Sequence, residues 1–545
     1  MNPYVQDNTQ RRSHSAPCVG VIAVLAALAW LSVAMAASEP GCLRCHQNKQ
    51  SGFNPVHAFG SESCTACHAG NPEAVEETDA HQDLIAYPGD LATARRACGD
   101  CHENRVEAVA NNLMHTGRGM VDVTRSLIDG HTNPAPGSLQ SLEHGIADSM
   151  LRKQCASCHL GQPREGHGRN ETLDRGGGCG ACHINQVPAD GHAALTTRVS
   201  DARCFGCHSR SGRVSLSFAG LAEVHQSSND GIRLRDRRPV ERMPADVHYR
   251  AGMGCIDCHT SVALMGDSGA LTHQRDAVDI QCTDCHAGAS TMTRGQWPAD
   301  MAGMLRHVPF PVSDQTQFLT TARHGTPLWH IELRADGTFL HTKNTGRVLR
   351  VPKLEDAHAR YSEQHERLAC SSCHSQWAPR CLSCHMEYDP GGEQWDHAAR
   401  QVTEGRWHSR SGDTDHGLPT LGVSHDNRIE PFVPGMIMTL EHPDLAQQKF
   451  LRVFAPLSPH TSGPARGCAS CHQSSVALGL GRGEIVIESD GYRFVPASRL
   501  LQDGLPADAW TSLDGLGGDV PRDGQRPLNP REMQTVLRAP LEDPP

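Results

Sequence analysis

The chain has 545 residues, of which 38% are hydrophobic but only 4% aromatic, and it contains 52 glycines and 34 prolines. This length could form two to four domains of ordinary size, yet the composition is poor for a conventional apolar core. The formal net charge is −11, which argues against nucleic acid as a partner and favours basic or small partners.

The N-terminal segment has the features of an export signal. Arg11 and Arg12 precede an apolar run over 19–37, and Ala34-Met35-Ala36 matches a small-x-small cleavage site. We therefore expect residues 1–36 to be a signal peptide and the mature chain to reside in the periplasm. Retention as an uncleaved anchor is the alternative, because about 19 apolar residues nearly suffice to span a bilayer. Membrane association is expected only in that case, and extracellular release is a further alternative.

Cysteine and histidine follow one repeated pattern. Of 23 cysteines, 22 form eleven copies of Cys-x-x-Cys-His, numbered here in chain order as motifs one to eleven; the other, Cys18, lies in the signal segment. The cysteine pairs are Cys42 and Cys45, Cys64 and Cys67, Cys98 and Cys101, Cys155 and Cys158, Cys179 and Cys182, Cys204 and Cys207, Cys255 and Cys258, Cys282 and Cys285, Cys370 and Cys373, Cys381 and Cys384, and Cys468 and Cys471. The motif histidines are His46, His68, His102, His159, His183, His208, His259, His286, His374, His385 and His472.

This pentapeptide is the attachment signature of c-type haem. Two sulfurs three positions apart bond to the vinyl groups, and the adjoining histidine becomes the proximal iron ligand. Zinc sites and disulfides also use paired cysteines, but neither requires a histidine directly after every pair. The sequence therefore predicts eleven covalent haems of the c type.

The sixth position of each iron needs a second ligand in an electron carrier, most often His or Met. Of 34 histidines, 22 remain after the signal segment and the motif histidines are set aside, so most haems are expected to be bis-histidine and of low potential. The distal candidates are His57, His81, His115, His144, His192, His225, His248, His273, His358 and His460. Their assignment to particular haems is left open.

The spacing of the motifs divides the mature chain. Residues 37–290 carry eight motifs and are expected to form one haem-packed domain. Residues 291–369 are a haem-free insertion, in which Ile331 and Leu333 precede a turn at Asp336-Gly337 and predict a β-hairpin. Haems would supply the apolar surface that the composition lacks. We therefore expect a mainly α fold with sparse secondary structure, wrapped around a continuous haem chain, with small β-hairpin insertions.

The C-terminal part begins with two motifs in tandem. Residues 370–472 are expected to form a three-haem region with a His-rich haem-free loop, and 473–545 a hairpin followed from about Leu513 by a disordered tail. Six residues separate His374 from Cys381, so the haems of motifs nine and ten must be neighbours. We expect this pair to join the first eight haems to motif eleven. Trp377, in the link, should pack on a porphyrin with its N–H on a propionate or carbonyl.

In its motif and its clustering, the chain resembles the large multihaem cytochromes c, a group that includes the octahaem hydroxylamine oxidoreductases, the octahaem tetrathionate reductases and the decahaem electron conduits. The resemblance covers about residues 42–472. It implies closely packed haems that pass electrons between near neighbours. The chain departs from many pentahaem nitrite reductases in lacking Cys-x-x-Cys-Lys.

Two functions remain open, and the electron carrier is favoured over the enzyme. The first is transfer of electrons from a quinol-linked membrane oxidoreductase or another cytochrome to a terminal acceptor in anaerobic or lithotrophic respiration. The alternative is an oxidoreductase in which one open-coordination haem acts on a small nitrogen or sulfur compound. Its support is the haem-free stretch 386–467, where Arg410 and Arg428 could help bind an anion. The sequence identifies no catalytic residue.

Overall fold

A computed structural model describes residues 41–47, 57, 64–130, 137–164, 175–184, 192–210, 213–224, 231–267, 269, 271–287, 292–294, 305–312, 317–354, 365–411, 414–517 and 524–541. The predicted signal peptide, with its alternative as an anchor, lies outside these residues, as do His225 and His358. Within the described residues, no helix is long and apolar enough to cross a membrane.

The first eight motifs lie among short helices. Their bounds are α1 Gly41–Cys45, α2 Thr65–His68, α3 Glu77–Ala80, α4 Leu91–Ala97, α5 Gly99–Asn111, α6 Leu113–Thr116, α7 Arg118–Asp129, α8 Ile146–Met150, α9 Gly180–His183, α10 Asp201–His208, α11 Val214–Phe218, α12 Val247–Ala251, α13 Cys255–Cys258, α14 Ser261–Met265, α15 Gln274–Ala277 and α16 Cys282–His286. A π-helical turn, Leu151–Cys155, leads into motif four. Such helices are too short to be stable alone, so tertiary packing must hold them.

Three small sheets accompany the helices. β1 Leu221–Glu223, β2 Ile232–Arg233 and β3 Pro239–Arg242 form one, and β4 Met292–Arg294 pairs with β5 Gln317–Leu319. In the haem-free insertion, β6 Ile331–Arg334, β7 Gly337–His341 and β8 Val348–Val351 form an antiparallel meander. The predicted hairpin is confirmed, although its two turn residues are Ala335 and Asp336, one position earlier than expected, and Gly337 begins β7.

The C-terminal part is built around a larger sheet. After α17 Cys370–His374 come β9 Ala378–Cys381, β10 Cys384–Asp396, β11 Gln401–Ser411, β12 Thr414–Gly417, β13 Thr420–Val423, β14 Ile429–Glu441 and β15 Lys449–Pro456. Then follow α18 Ala469–His472, β16 Gly483–Glu488, β17 Gly491–Pro496, β18 Arg526–Pro527 and α19 Pro530–Arg538. Six strands form one sheet in the order β11-β10-β14-β13-β18, with β15 also on β14. The sheet is mixed because β10 and β14 run parallel.

The prediction of a mainly α fold is wrong, since the chain is mixed α/β. The stretch expected to be a His-rich loop forms most of the large sheet. Its strands have the apolar residues that a buried sheet needs, with Phe432, Leu440 and Phe454 at most 1% exposed. Nine of the 24 aromatic residues lie between 386 and 512, so the chain-wide average of 4% hid a local core.

The C-terminal tail also differs from expectation where it is described. The predicted hairpin is confirmed by β16 and β17. Beyond it, α19 is capped by Asn529 and buries Met533 against a cluster that includes Leu421 and Leu478. Residues 524–541 are therefore ordered, because α19 has one apolar face that packs on this cluster. The high content of charged residues and proline had instead predicted disorder.

Trp510 should be the main support of the C-terminal sheet. It is fully buried, stacked on Phe454 with ring centroids 4.9 Å apart, and 4.8 Å from the Phe432 ring. Replacing Trp510 by alanine should destabilise this part by about 3–5 kcal/mol, the usual effect of removing a large buried side chain. Thermal loss of β-sheet circular dichroism measures it. The matched control is Trp395→Ala, at a side chain that is 46% exposed; equal midpoints for the two variants would contradict this role.

Candidate functional site

The backbone of most motifs forms a single helical turn. In motifs one, two, three, five, seven and eleven, the histidine N–H donates to the carbonyl of the first cysteine at 2.8–3.0 Å. This bond brings two sulfurs and an imidazole to one side of the turn, as attachment of one planar group requires. Motif ten differs, because Cys381 ends β9 and Cys384 begins β10.

Seven motif histidines face a second imidazole across a defined gap. The ring centroids are 6.0–6.3 Å apart in His46–His81, His68–His192, His102–His57, His159–His115, His259–His460, His286–His248 and His472–His365. Two metal–imidazole bonds of about 2 Å, plus about 1 Å from each nitrogen to its ring centre, also give about 6 Å. Each gap therefore has the size for one metal ion with an imidazole on either side.

Six of these second imidazoles are among the distal candidates from the sequence, and the seventh, His365, is not. His365 stands five residues before motif nine in the sequence, yet it faces the histidine of motif eleven. His144 is exposed in the turn before α8. His273 precedes α15 and lines the interior. Within the part of the chain that the structure describes, no such pair includes a histidine of motifs five, six, nine or ten.

Backbone carbonyls orient several of these rings. The Nδ1 atoms of His68, His183, His286, His374 and His472 lie 2.7–2.8 Å from the carbonyl oxygens of Ile85, Thr196, Pro352, Gly463 and Val536. An Nδ1–H donated to a carbonyl leaves the lone pair on Nε2, which is the tautomer that binds a metal. One of the second imidazoles is held likewise, since Nδ1 of His248 lies 2.8 Å from a carboxylate oxygen of Asp246.

Burial keeps four of the paired imidazoles neutral, those of His115, His159, His259 and His460. It lowers the pKa of His159 to about 4, helped by the nearby His115 and His397, and lowers the pKa of His259 to about 4, helped by His460. Burial also lowers the pKa of His115 and of His460. Neutral imidazole is the form that coordinates a metal.

One interior cavity connects the first eight motifs. Its volume is about 3790 Å³, and its lining includes both cysteines and the histidine of each of motifs one to eight, together with Cys381 of motif ten. Ordinary small-molecule sites measure roughly 300–1,000 Å³. The cavity can therefore accept several large groups side by side, each attached at its own motif.

Direct contacts show which motifs are neighbours. The thiols of different motifs lie close enough to interact electrostatically in four places: Cys42 beside Cys64, Cys158 beside Cys207, Cys204 beside Cys255, and Cys282 beside Cys370. They place motif one beside two, four beside six, six beside seven, and eight beside nine. Groups attached through these sulfurs would be in van der Waals range of one another.

Two arginines, neither singled out from the sequence, reinforce these junctions. Arg175 donates from Nε to Gly206 O and from Nη1 to Ser157 Oγ, both at 3.0 Å, and so ties motif six to motif four. Arg466 donates from Nη2 to Ser372 O at 2.6 Å and to Cys471 Sγ at 3.6 Å, and so ties motif nine to motif eleven. Within a uniform pattern, no sequence signal distinguishes these two arginines from the others.

The tandem motifs play different parts. Motif nine touches motif eight through Cys370 and motif eleven through Arg466. In motif ten, Cys381 accepts a bond from Arg213 at 3.3 Å, and Nε2 of His385 lies 3.6 Å from Glu441 on the sheet. Motif nine thus has contacts towards both motif eight and motif eleven, while motif ten reaches the cavity of motifs one to eight through Cys381. Trp377 in the link is 3% exposed and donates its N–H to Pro244 O at 2.8 Å.

The pairing of His259 with His460 can be tested directly. Replacing His460 by alanine should open one position at the iron, because no second imidazole then faces His259 across the 6.1 Å gap. Carbon monoxide binding by the reduced protein should rise by the equivalent of one haem. In the control, His408→Ala removes an exposed imidazole that pairs with Asp389 and should leave binding unchanged. Equal binding by both variants would contradict the pairing.

Among the described residues, no group of three or more His, Cys, Asp or Glu side chains could hold a metal ion. Comparison with known proteins adds no assignment: no family model, no curated protein and no solved structure matches the chain.

Proposed function

We propose that the chain is an exported c-type cytochrome with eleven covalent haems, which carries electrons between a donor and a terminal acceptor. The observation that carries this proposal is the set of seven imidazole pairs, each with one member in a Cys-x-x-Cys-His motif and a gap of 6.0–6.3 Å. Haem, once attached, supplies reversible one-electron chemistry at its iron.

The residues of the chain have separate tasks in this proposal. The motif cysteines form the thioether attachments, and the motif histidines and their partners supply the axial nitrogens. Carbonyls such as Ile85 O and Val536 O hold the rings in the ligating tautomer. Two histidines at one iron leave no position for substrate, which suits a carrier better than a catalyst.

The contacts between motifs support a nearly linear series of sites. Motif two reaches motif three where α2 contacts α4, and motifs three and five share one segment, since Cys98 Sγ donates to Pro88 O and Cys179 N to Gly89 O. Helix α9 of motif five contacts α10 of motif six. With the sulfur and arginine contacts, and with Cys285 of motif eight as a neighbour of Cys258 of motif seven, the order is one, two, three, five, six, seven, eight, nine, eleven, with motif four beside six. Electrons tunnel between near neighbours, so this order describes a route.

The partners and compartment follow from the same proposal. An exported, acidic carrier of low potential suits a quinol-linked membrane oxidoreductase or another cytochrome as donor, in the periplasm. The acidic balance of −11 favours a partner that presents a basic surface.

The haem content is the first test. The mature protein should have a mass that exceeds its polypeptide by eleven haems, because eleven motifs offer both thioether cysteines. Mass spectrometry of the denatured protein measures it, since thioether bonds survive denaturation. A count of nine or fewer would mean that some motifs serve another purpose.

The route can be tested by removing one motif at a time. Replacing both Cys370 and Cys373 by alanine should separate motif eleven from motif eight, so rapid-mixing reduction should split into a fast and a slow phase. The matched control replaces both Cys381 and Cys384 by alanine and should keep a single fast course. A split in the control, with none in the motif-nine variant, would overturn the route.

One observation favours a second function, an oxidoreductase acting on a small nitrogen or sulfur compound. Motif ten lies in strands, and its His385 imidazole, 34% exposed, has the carboxylate of Glu441 as a neighbour. An open position at this iron would bind carbon monoxide in the wild type. The Cys381 and Cys384 double variant should then lose this carbon monoxide binding. A carrier in which every iron has two protein ligands would bind no carbon monoxide even as the wild type.

A further inference from the structure

Lys343 carries a positive charge into the cavity between two motifs. It lies in the turn between β7 and β8, within the haem-free insertion, and lines the cavity. Its Nζ donates to Ile256 O at 2.6 Å, and its backbone N–H donates to an Asp257 carboxylate oxygen at 2.7 Å. Both acceptors belong to motif seven, so the insertion holds this ammonium directly against that motif.

The same insertion also holds motif eight. Nδ1 of His286 lies 2.8 Å from the carbonyl oxygen of Pro352, the residue after β8, and Leu354 N donates to His286 O at 3.0 Å. Lys343 lines the same cavity as the cysteines and the histidine of motif eight. The insertion therefore brings the Lys343 ammonium to the side of the cavity that motifs seven and eight share.

Lys343 is charged at neutral pH despite its burial. Burial lowers its pKa to about 8, and the nearby Asp257 carboxylate limits the fall. The Trp329 ring also faces the ammonium, with its centroid 5.4 Å from Nζ.

We propose that Lys343 raises the reduction potentials of the haems at motifs seven and eight, so that these haems are reduced before their neighbours in the series. This inference rests on the proposed haem attachment. Reduction adds one negative charge to a site. A cation held nearby in a low-dielectric interior favours the reduced state far more than a cation in water would.

The haem-free insertion thereby has a function in electron transfer. His330, at the start of the β6–β8 meander, is 1% exposed and its Nε2 lies 2.9 Å from Asp257 O. His330 and Lys343 fasten the insertion to motif seven from two sides. Motifs seven and eight lie between six and nine in the series, so a raised potential there would hold electrons in the middle of the route.

Spectroelectrochemical titration of Lys343→Met tests the proposal. Two of the eleven haems should shift to lower potential, while mass spectrometry still finds eleven haems. Lys343→Gln keeps an N–H donor for Ile256 O and should show the same shift, whereas Lys343→Arg keeps the charge and should titrate near the wild type. The matched control is Lys449→Met, since Lys449 also donates to one backbone carbonyl, that of Ile128, but does not line the cavity.

A measurement on the wild type makes the test independent of how the variants fold. The His259–His460 rings are within 10° of parallel, the smallest angle among the seven pairs. Near-parallel rings give a rhombic low-spin ferric signal in electron paramagnetic resonance, and this signal should vanish first during reductive titration. Its loss among the last haems, or charge-removing variants that titrate like the wild type with eleven haems, would overturn the proposal. A wild type without eleven haems would instead overturn the proposed function.

Discussion

The fixed gap between paired imidazoles is the constraint on which the rest of the structure depends. At 6.0–6.3 Å between centroids, two rings gain little from each other, so each must be held by its own backbone. Carbonyls from distant segments do this, as Pro352 does for His286 and Val536 for His472. Much of the chain between motifs therefore serves to bring a carbonyl or a second histidine to a fixed position beside a motif histidine. Long irregular connections and short helices are a consequence of that requirement rather than a sign of weak folding.

The part of the chain with motifs one to eight and the part with the C-terminal sheet hold their imidazoles in place in different ways. Motifs one to eight surround a large cavity, and their helices pack in separate apolar clusters, such as those around Phe205 and Leu151. The C-terminal sheet has a core of its own around Trp510, and it extends a segment back to the first part. That segment places His460 opposite His259, and it bonds to α12 through Val247 N to Ser462 O at 2.9 Å and Ser462 N to Asp246 at 2.6 Å. A sheet with its own core thus fixes the position of His460 opposite a motif histidine of the first part.

Local signals in the sequence predicted what local interactions determine. The motif turns, the hairpin of β6 and β7 and the hairpin of β16 and β17 follow from spacing and turn chemistry over a few residues. The pairing of His68 with His192, or of His259 with His460, depends on contacts over more than a hundred residues and had no local signal. The large sheet was missed for another reason, because an average over the whole chain concealed aromatic residues concentrated near the C-terminus. Lys343 and Arg466 could not be predicted, because the role of a cation depends on its neighbours in space and these are distant in sequence.

Buried carboxylates near motifs seven and eight limit how much Lys343 can raise the reduction potentials there. Four buried carboxylates lie around these motifs, Asp246, Asp257, Asp279 and Asp284, each at most 2% exposed. Most are occupied with backbone N–H groups, as Asp257 is with Gly254 and Lys343, and Asp284 with Gln281 and Ala322. Asp246 is different, because it also bonds the Nδ1 of His248, and although burial alone would raise its pKa, the bonds from His248 and Ser462 hold that pKa below its usual value. A carboxylate that makes a ligand imidazole more basic favours the oxidised metal. At motif eight, Asp246 therefore opposes Lys343, whereas at motif seven Lys343 bonds the motif directly, so motif seven should have the higher potential of the two.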